Sequence, residues 1–157
     1  MKSDPKIIEA LNDVLTAELT AINQYFCHSK LCADWGYERL AAYIRKESIE
    51  EMQHADAIMD RIIYFDAIPN MQRLYPVKIG ENVPEQFQVD LELEYTAVER
   101  LNKGIALCRE LSDNGTRELF EKILMDEEEH VDWLESQLGL IQDVGKENYL
   151  AEQIRDQ

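Results

Sequence analysis

The sequence predicts an all-α fold, a four-helix bundle of two antiparallel hairpins joined by a long crossover, with a short fifth helix at the C-terminus. Three observations lead there. Apolar residues recur at helical spacing over four long stretches, which gives each stretch one core-facing stripe. The one long interruption lies mid-chain, as expected where the chain must travel the height of a bundle before a second hairpin starts. A spaced set of Glu and His residues also occurs twice, the copies displaced by seventy-six positions.

In the first stretch, Ser3 or Asp4 can cap a helix with Pro5 in its opening turn, and Ile8, Leu11, Leu15, Leu19, Ile22 and Phe26 form its stripe. This helix is expected over about 5–34 and to stop at Trp35-Gly36, where glycine can take the left-handed conformation. A second helix follows from about Glu38 to about Phe65, carrying Leu40, Ile44, Ile58 and Ile62. Between Asp66 and Pro84 the residues Pro69, Asn70, Pro76, Gly80 and Pro84 disfavour helix throughout. A third helix is expected from about Glu85 to about Leu111, a tight turn at Asn114-Gly115, and a fourth helix from about Thr116 to about Leu138. The amphipathic segment from Glu147 to about Gln153 supplies the fifth.

At 157 residues the chain fits one domain, 1–157, with a substantial core. Its net charge of −16 argues against nucleic acid or an anionic membrane as partner and suits a protein that attracts cations. Cys27, Cys32 and Cys108 are odd in number, lack Cys-x-x-Cys spacing and sit in apolar helical patterns, so buried reduced thiols are expected. The charged N-terminal stretch is not expected to act as a signal peptide, and the sequence holds no run of eighteen apolar residues that could span a membrane. A cytoplasmic location is expected.

The chemistry lies in the repeated set. Glu18 is followed thirty-three positions later by Glu51, which opens Glu51-Met52-Gln53-His54; Glu94 is followed at the same interval by Glu127, which opens Glu127-Glu128-Glu129-His130. Positions i and i+3 share a helix face, so each Glu-x-x-His pair can grip one ion. The midpoint of 18 and 51 is 34.5 and that of 94 and 127 is 110.5, both close to the expected hairpin turns. The two hairpins therefore bring all six side chains to one height. Four carboxylates and two neutral imidazoles balance two divalent cations. Without cations the site is costly, because like charges about 4 Å apart repel by about 4 kcal/mol per pair at an effective dielectric near 20. Such a site binds cations or holds protons. Oxygen-rich ligands with one nitrogen per metal suit iron or manganese, and zinc also fits.

Two neighbours have two readings each. Tyr25 lies seven residues after Glu18, on the same face, and could hydrogen-bond a ligand or give up an electron; a core tyrosine with a satisfied hydroxyl is the other reading. His28 lies off that face and reads as structural or as a surface residue. On the second helix, Ile49, Met52, Met59 and Ile63 form an apolar stripe turned roughly 100° from Glu51. From spacing alone it reads as a dimer contact.

At these residues the chain resembles the bacterioferritin family, over essentially its whole length. The matching segments are Glu18-Leu19, Ala21 through Phe26, Glu51 through Asp56, Asp126-Glu127-Glu128, His130, Asp132 through Glu135, and Glu147 through Leu150. The resemblance implies a ferritin-like four-helix bundle, the fold whose di-iron layout this spacing reproduces. It implies a ferroxidase centre of two irons per chain, bridged by Glu51 and Glu127, with Glu18 and His54, and Glu94 and His130, as terminal ligands. It further implies twenty-four chains in a hollow shell storing ferric mineral, and a haem b shared by two chains through Met52 across a twofold axis. Electrons for iron release would arrive from a small ferredoxin docked near Ile68 to Glu81. Some members carry His and Asp for an inner-wall iron site where this chain has Lys46 and Glu50, so an inner-wall relay is not expected.

Rival readings separate on the sequence. A non-storing di-iron peroxidase of the rubrerythrin type would carry a Cys-x-x-Cys iron domain. A haem-binding structural subunit of a mixed shell, beside a second ferritin subunit, would not need all six ligands. A miniature DNA-protecting ferritin would want a basic tail.

Overall fold

The structure, a computed structural model, describes residues 1–155. Its regular elements are five helices: α1 (Pro5–Asp34), α2 (Glu38–Tyr64), α3 (Val83–Glu110), α4 (Asn114–Val144) and α5 (Lys146–Ala151). No strand occurs among the described residues. The two extensive pairings are α1 with α2 and α3 with α4, and α1 also packs on α3, so two hairpins are joined into one bundle.

The first two helices begin and end where the pattern places them. The Asp4 carboxylate accepts the Lys6 N–H at 2.9 Å, Pro5 fills the first turn, and Gly36 at φ +87° closes the helix end. The later boundaries differ for physical reasons. α3 starts at Val83 because the Asn82 side chain accepts the Glu85 N–H; Pro84, expected to break helix, sits in the first turn where its missing N–H costs nothing. The second hairpin does not turn at Asn114-Gly115, which open α4. Its reversal falls earlier, with Ser112 at φ 59°, and the Asp113 side chain accepts the Thr116 N–H at 3.0 Å. α4 also runs past Leu138 to Val144, where Gly145 at φ +86° separates it from α5.

Two apolar clusters fill the bundle. One contains Leu11, Leu15, Ile58, Ile62, Leu101, Phe120 and Ile123; the other contains Ala21, Tyr25, Ile44, Phe87, Leu134 and Tyr149. Each fully buried Leu, Ile or Phe contributes about 1.5–3 kcal/mol. On every long helix the candidate ligands fall between residues of the two clusters: Glu18 between Leu15 and Ala21, Glu94 between Phe87 and Leu101, Glu127 and His130 between Ile123 and Leu134. The site is thus a polar layer clamped between two apolar ones.

The crossover is fastened to α1 by a ladder of polar side chains. Asn12 Oδ1 accepts the Asn70 N–H at 2.8 Å, and Thr16 Oγ1 accepts from Arg73 Nε at 3.0 Å. Thr20 Oγ1, Gln24 Oε1 and His28 Nε2 accept the N–H groups of Tyr75, Lys78 and Gly80 at 2.9, 3.1 and 3.0 Å. These five positions are four apart, hence on one face of α1. Asp90 of α3 closes the ladder, accepting from Gln24 Nε2 at 2.8 Å and lying 3.2 Å from His28 Nδ1. His28 is therefore structural and fully buried, not a surface residue. Cys32 and Cys108 are buried thiols as expected, whereas Cys27 is half-buried, and all three are free.

Candidate metal centre

Each helix of the bundle delivers its share. Glu18 comes from α1, Glu51 and His54 from α2, Glu94 from α3, Glu127 and His130 from α4, and all six are buried. Their ligand atoms fall into two groups, each drawn together within 4.8 Å: Glu18, Glu51, His54 and Glu127 in one, Glu51, Glu94, Glu127 and His130 in the other. Glu51 and Glu127 belong to both. The intervals of the sequence are thereby realised as two adjoining pockets of oxygen and nitrogen that share two carboxylates.

The histidines enter with Nδ1. For His54 that atom lies 3.1 Å from Glu127, 3.5 Å from Glu18 and 3.7 Å from Glu51. For His130 it lies 3.3 Å from Glu51 and 3.6 Å from both Glu94 and Glu127. Glu18 Oε2, Glu51 Oε1, Glu94 Oε2, both Glu127 oxygens and both Nδ1 atoms are buried without a hydrogen-bond partner. Buried polar atoms are ordinarily satisfied, and here the unsatisfied ones converge. The donor set fits divalent cations.

Protons respond to the same crowding. Burial first, then the charge of Glu127, pushes Glu18 above the ordinary carboxylate range. Burial and the neighbouring carboxylates push Glu51 and Glu94 well above it. Burial acts upward on Glu127 too, but its contacts with Glu94, His130, His54 and Glu51 outweigh that and hold it low. For the imidazoles burial opposes charge, yet contact with Glu127 and Glu18 raises His54 to about 11, and contact with Glu127 and Glu47 raises His130 further. Without cations, the centre is a proton store.

Tyr25 is brought into this layer. Its hydroxyl donates to Glu94 Oε1, so it is a buried core tyrosine with a satisfied hydroxyl, and the acceptor is one of the six candidate ligands. Burial and the Glu94 charge push the phenol well above its usual range, so it remains a donor. Two carboxylates not singled out by spacing also touch the site. Asp126 Oδ2 lies 2.8 Å from His54 Nε2, and Glu47 approaches His130 Nε2 with Glu50 at 3.6 Å behind it. The signal for Asp126 was its place beside Glu127, but its partner lies on another helix seventy-two residues away and leaves no local pattern. Glu47, Glu50 and His130 form a third group of ligand-capable atoms, while Lys46 is exposed.

Comparison with known proteins identifies the architecture. A family model described as a ferritin-like domain matches residues 8–144. A bacterioferritin of Mycolicibacterium paratuberculosis is 51% identical over 97% of this chain and 96% of its own length. A bacterioferritin of Streptomyces coelicolor is 50% identical over 96% and 90%, and one of Brucella melitensis 48% identical over 95% and 92%. The chain belongs to the bacterioferritin family. For a bacterioferritin-family chain the remaining residue of interest is Met52, which adjoins Glu51 on α2 yet is 57% exposed where Glu51 is 1%. Ile49 and Ile63 beside it are also exposed, while Met59 of the same stripe is half-buried against the core. No helix among the described residues is long and apolar enough to cross a membrane.

Proposed function

We propose that the chain is an iron-storage ferroxidase: it oxidises Fe(II) to Fe(III) at the buried centre and stores the ferric product as mineral inside a hollow shell of about twenty-four chains. Membership of the bacterioferritin family supports the coarse part, iron storage. The finer part rests chiefly on one observation, the pair of ligand groups that share Glu51 and Glu127 and whose buried atoms lack hydrogen-bond partners.

In this reading Glu51 and Glu127 hold both irons, Glu18 and His54 complete one end, and Glu94 and His130 the other. Bound there, the metal pair supplies the electron transfer from Fe(II) to oxygen or peroxide. The chain's own residues do the rest. The shared carboxylates fix the spacing of the two ions, the raised groups release their protons as cations enter, and the apolar layers above and below exclude water. Tyr25 positions Glu94 through its hydroxyl and is an oxidisable side chain in contact with a candidate ligand.

The exposed Ile49, Met52 and Ile63 support a twofold contact with a second copy, with Met52 of each chain on a shared haem b. Exposed Ile68, Met71 and Leu74 on the crossover support docking of a small ferredoxin near Ile68 to Glu81. A cytoplasmic location suits this role.

One preparation tests the whole. Particle mass, visible spectrum and Fe(II) oxidation are measured on the same sample, for the wild type and for Met52→Leu, Glu51→Ala and His130→Ala. The expected result is a particle of about twenty-four chains, a haem spectrum absent in Met52→Leu alone, and rapid oxidation absent in the other two. A monomer, or slow oxidation that never saturates, overturns the storage reading.

A further inference from the structure

The two imidazoles of the centre are backed from outside, and the backing of His54 is the more informative. Its Nδ1 faces Glu18, Glu51 and Glu127, while Nε2 on the far side of the ring lies 2.8 Å from Asp126 Oδ2. An ionised carboxylate can only accept. A His54 that ligates a metal is neutral, and its one proton then sits on Nε2, leaving Nδ1 bare toward the ligand pocket. A metal-bound histidine generally donates its other N–H to such a partner, which fixes the tautomer and the orientation of the ring.

Asp126 occupies a particular place for this. It precedes Glu127, and successive helical residues diverge by about 100°, so one segment of α4 sends Glu127 into the bundle and Asp126 along its edge toward α2. Its side chain is 42% exposed while that of His54 is 8% exposed. α2 and α4 have few close backbone approaches, so side chains join them, and this contact is one of those bridges, beside Glu47 with His130 and Arg61 with Thr116.

We propose that Asp126 is a positioning residue of the centre: it holds His54 in the Nε2–H tautomer and registers the ring against Glu127, and so sets the affinity of the cation position built from Glu18 and His54. This rests on the two-metal reading above. The role is distinct from simple attraction of cations by a surface carboxylate, because an acceptor of any charge would perform it.

The test uses the assembled chain stripped of metal and titrated with Co(II), whose visible bands report ligand geometry, for the wild type, Asp126→Asn and Asp126→Leu. The expected result is two equivalents of Co(II) per chain in the wild type and near-wild-type binding in Asp126→Asn, whose amide oxygen still accepts from Nε2. In Asp126→Leu one equivalent should weaken on the order of tenfold to a hundredfold, with its bands altered and the other equivalent unchanged. Three results overturn the proposal: Asp126→Leu binding like wild type, both variants weakening alike with a loss that vanishes in high salt, or both equivalents weakening together. The second assigns Asp126 to cation attraction, the third to general structure. A wild type that fails to take two equivalents overturns the two-metal reading as well, which separates that failure from the failure of Asp126.

Discussion

Two sets of buried polar side chains run through this bundle, and they are closed to different degrees. Along α1, Thr16, Thr20, Gln24 and His28 meet the N–H groups of the crossover or the Asp90 carboxylate. In the layer between the apolar clusters, Glu18, Glu51, Glu94, Glu127, His54 and His130 point atoms at one another that nothing satisfies. Both sets are equally hidden from water, so burial does not separate structural from functional polarity. Satisfaction does. The ladder uses its hydrogen bonds to hold a loop, and the centre leaves its buried atoms open to the cations proposed to bind there.

The largest expected effect breaks the open set. Glu51→Gln removes a carboxylate shared by both ligand groups, so rapid Fe(II) oxidation should disappear while the metal-free protein unfolds at the same or a higher temperature, since a buried, crowded acid is replaced by a group that cannot ionise. Retained rapid oxidation, or a clear loss of metal-free stability, would show that Glu51 belongs with the ladder. The reverse experiment breaks the closed set. His28→Leu takes one hydrogen bond from the buried Asp90 carboxylate, which keeps that from Gln24, and leaves the Gly80 N–H unpaired, and should cost about 1–3 kcal/mol in denaturant unfolding. Oxidation measured well below the unfolding temperature should persist, and its loss would couple the ladder to the chemistry.

Proton competition sharpens the contrast next. Glu18, Glu51 and Glu94 are raised above 4.5, so each contributes stability to the metal-free chain that is complete below about pH 4.5 and is lost as pH rises through its raised value. His54 acts in the same sense, complete below 6.5 and lost toward about 11, and Glu127, held low, opposes them. The cluster's net contribution therefore falls as pH rises above about 4.5, by about 1.4 kcal/mol per pH unit for each extra proton the folded state holds. Cations displace those protons, so their affinity should rise with pH. Unfolding followed across pH with and without Co(II) reads both slopes, and slopes of the same sign in the two series would contradict the proton-store description. The smallest effect is a single rung: Thr20→Val leaves the Tyr75 N–H without its acceptor and should cost about 1 kcal/mol by denaturant unfolding, with Co(II) affinity unchanged. A shift in that affinity would mean the crossover is sensed at the centre.

Much of this was legible in the chain order. Helical periodicity placed the four helices, and the repeated intervals placed six side chains at one height, because both are consequences of fixed rise and rotation along a helix. The ladder was equally regular, at 12, 16, 20, 24 and 28, but these polar residues carry no sign of what they bond, and the loop they hold has no periodicity to match. Pro84 and Asn114-Gly115 misled for a local reason: the same residues that break a helix interior also open a helix when a side-chain cap precedes them.

By itself, the sequence determined the bundle, the two hairpins and the candidate ligand set, since each depends on spacing within single helices. Only the tertiary structure decided which groups meet across helices. It put Tyr25 on Glu94, Asp126 behind His54 and Glu47 behind His130, and it turned His28 from an unassigned residue into the end of a ladder. It also showed which buried atoms remain unpaired, a property of the packed whole because a hydrogen bond needs two partners that distant parts of the chain bring together.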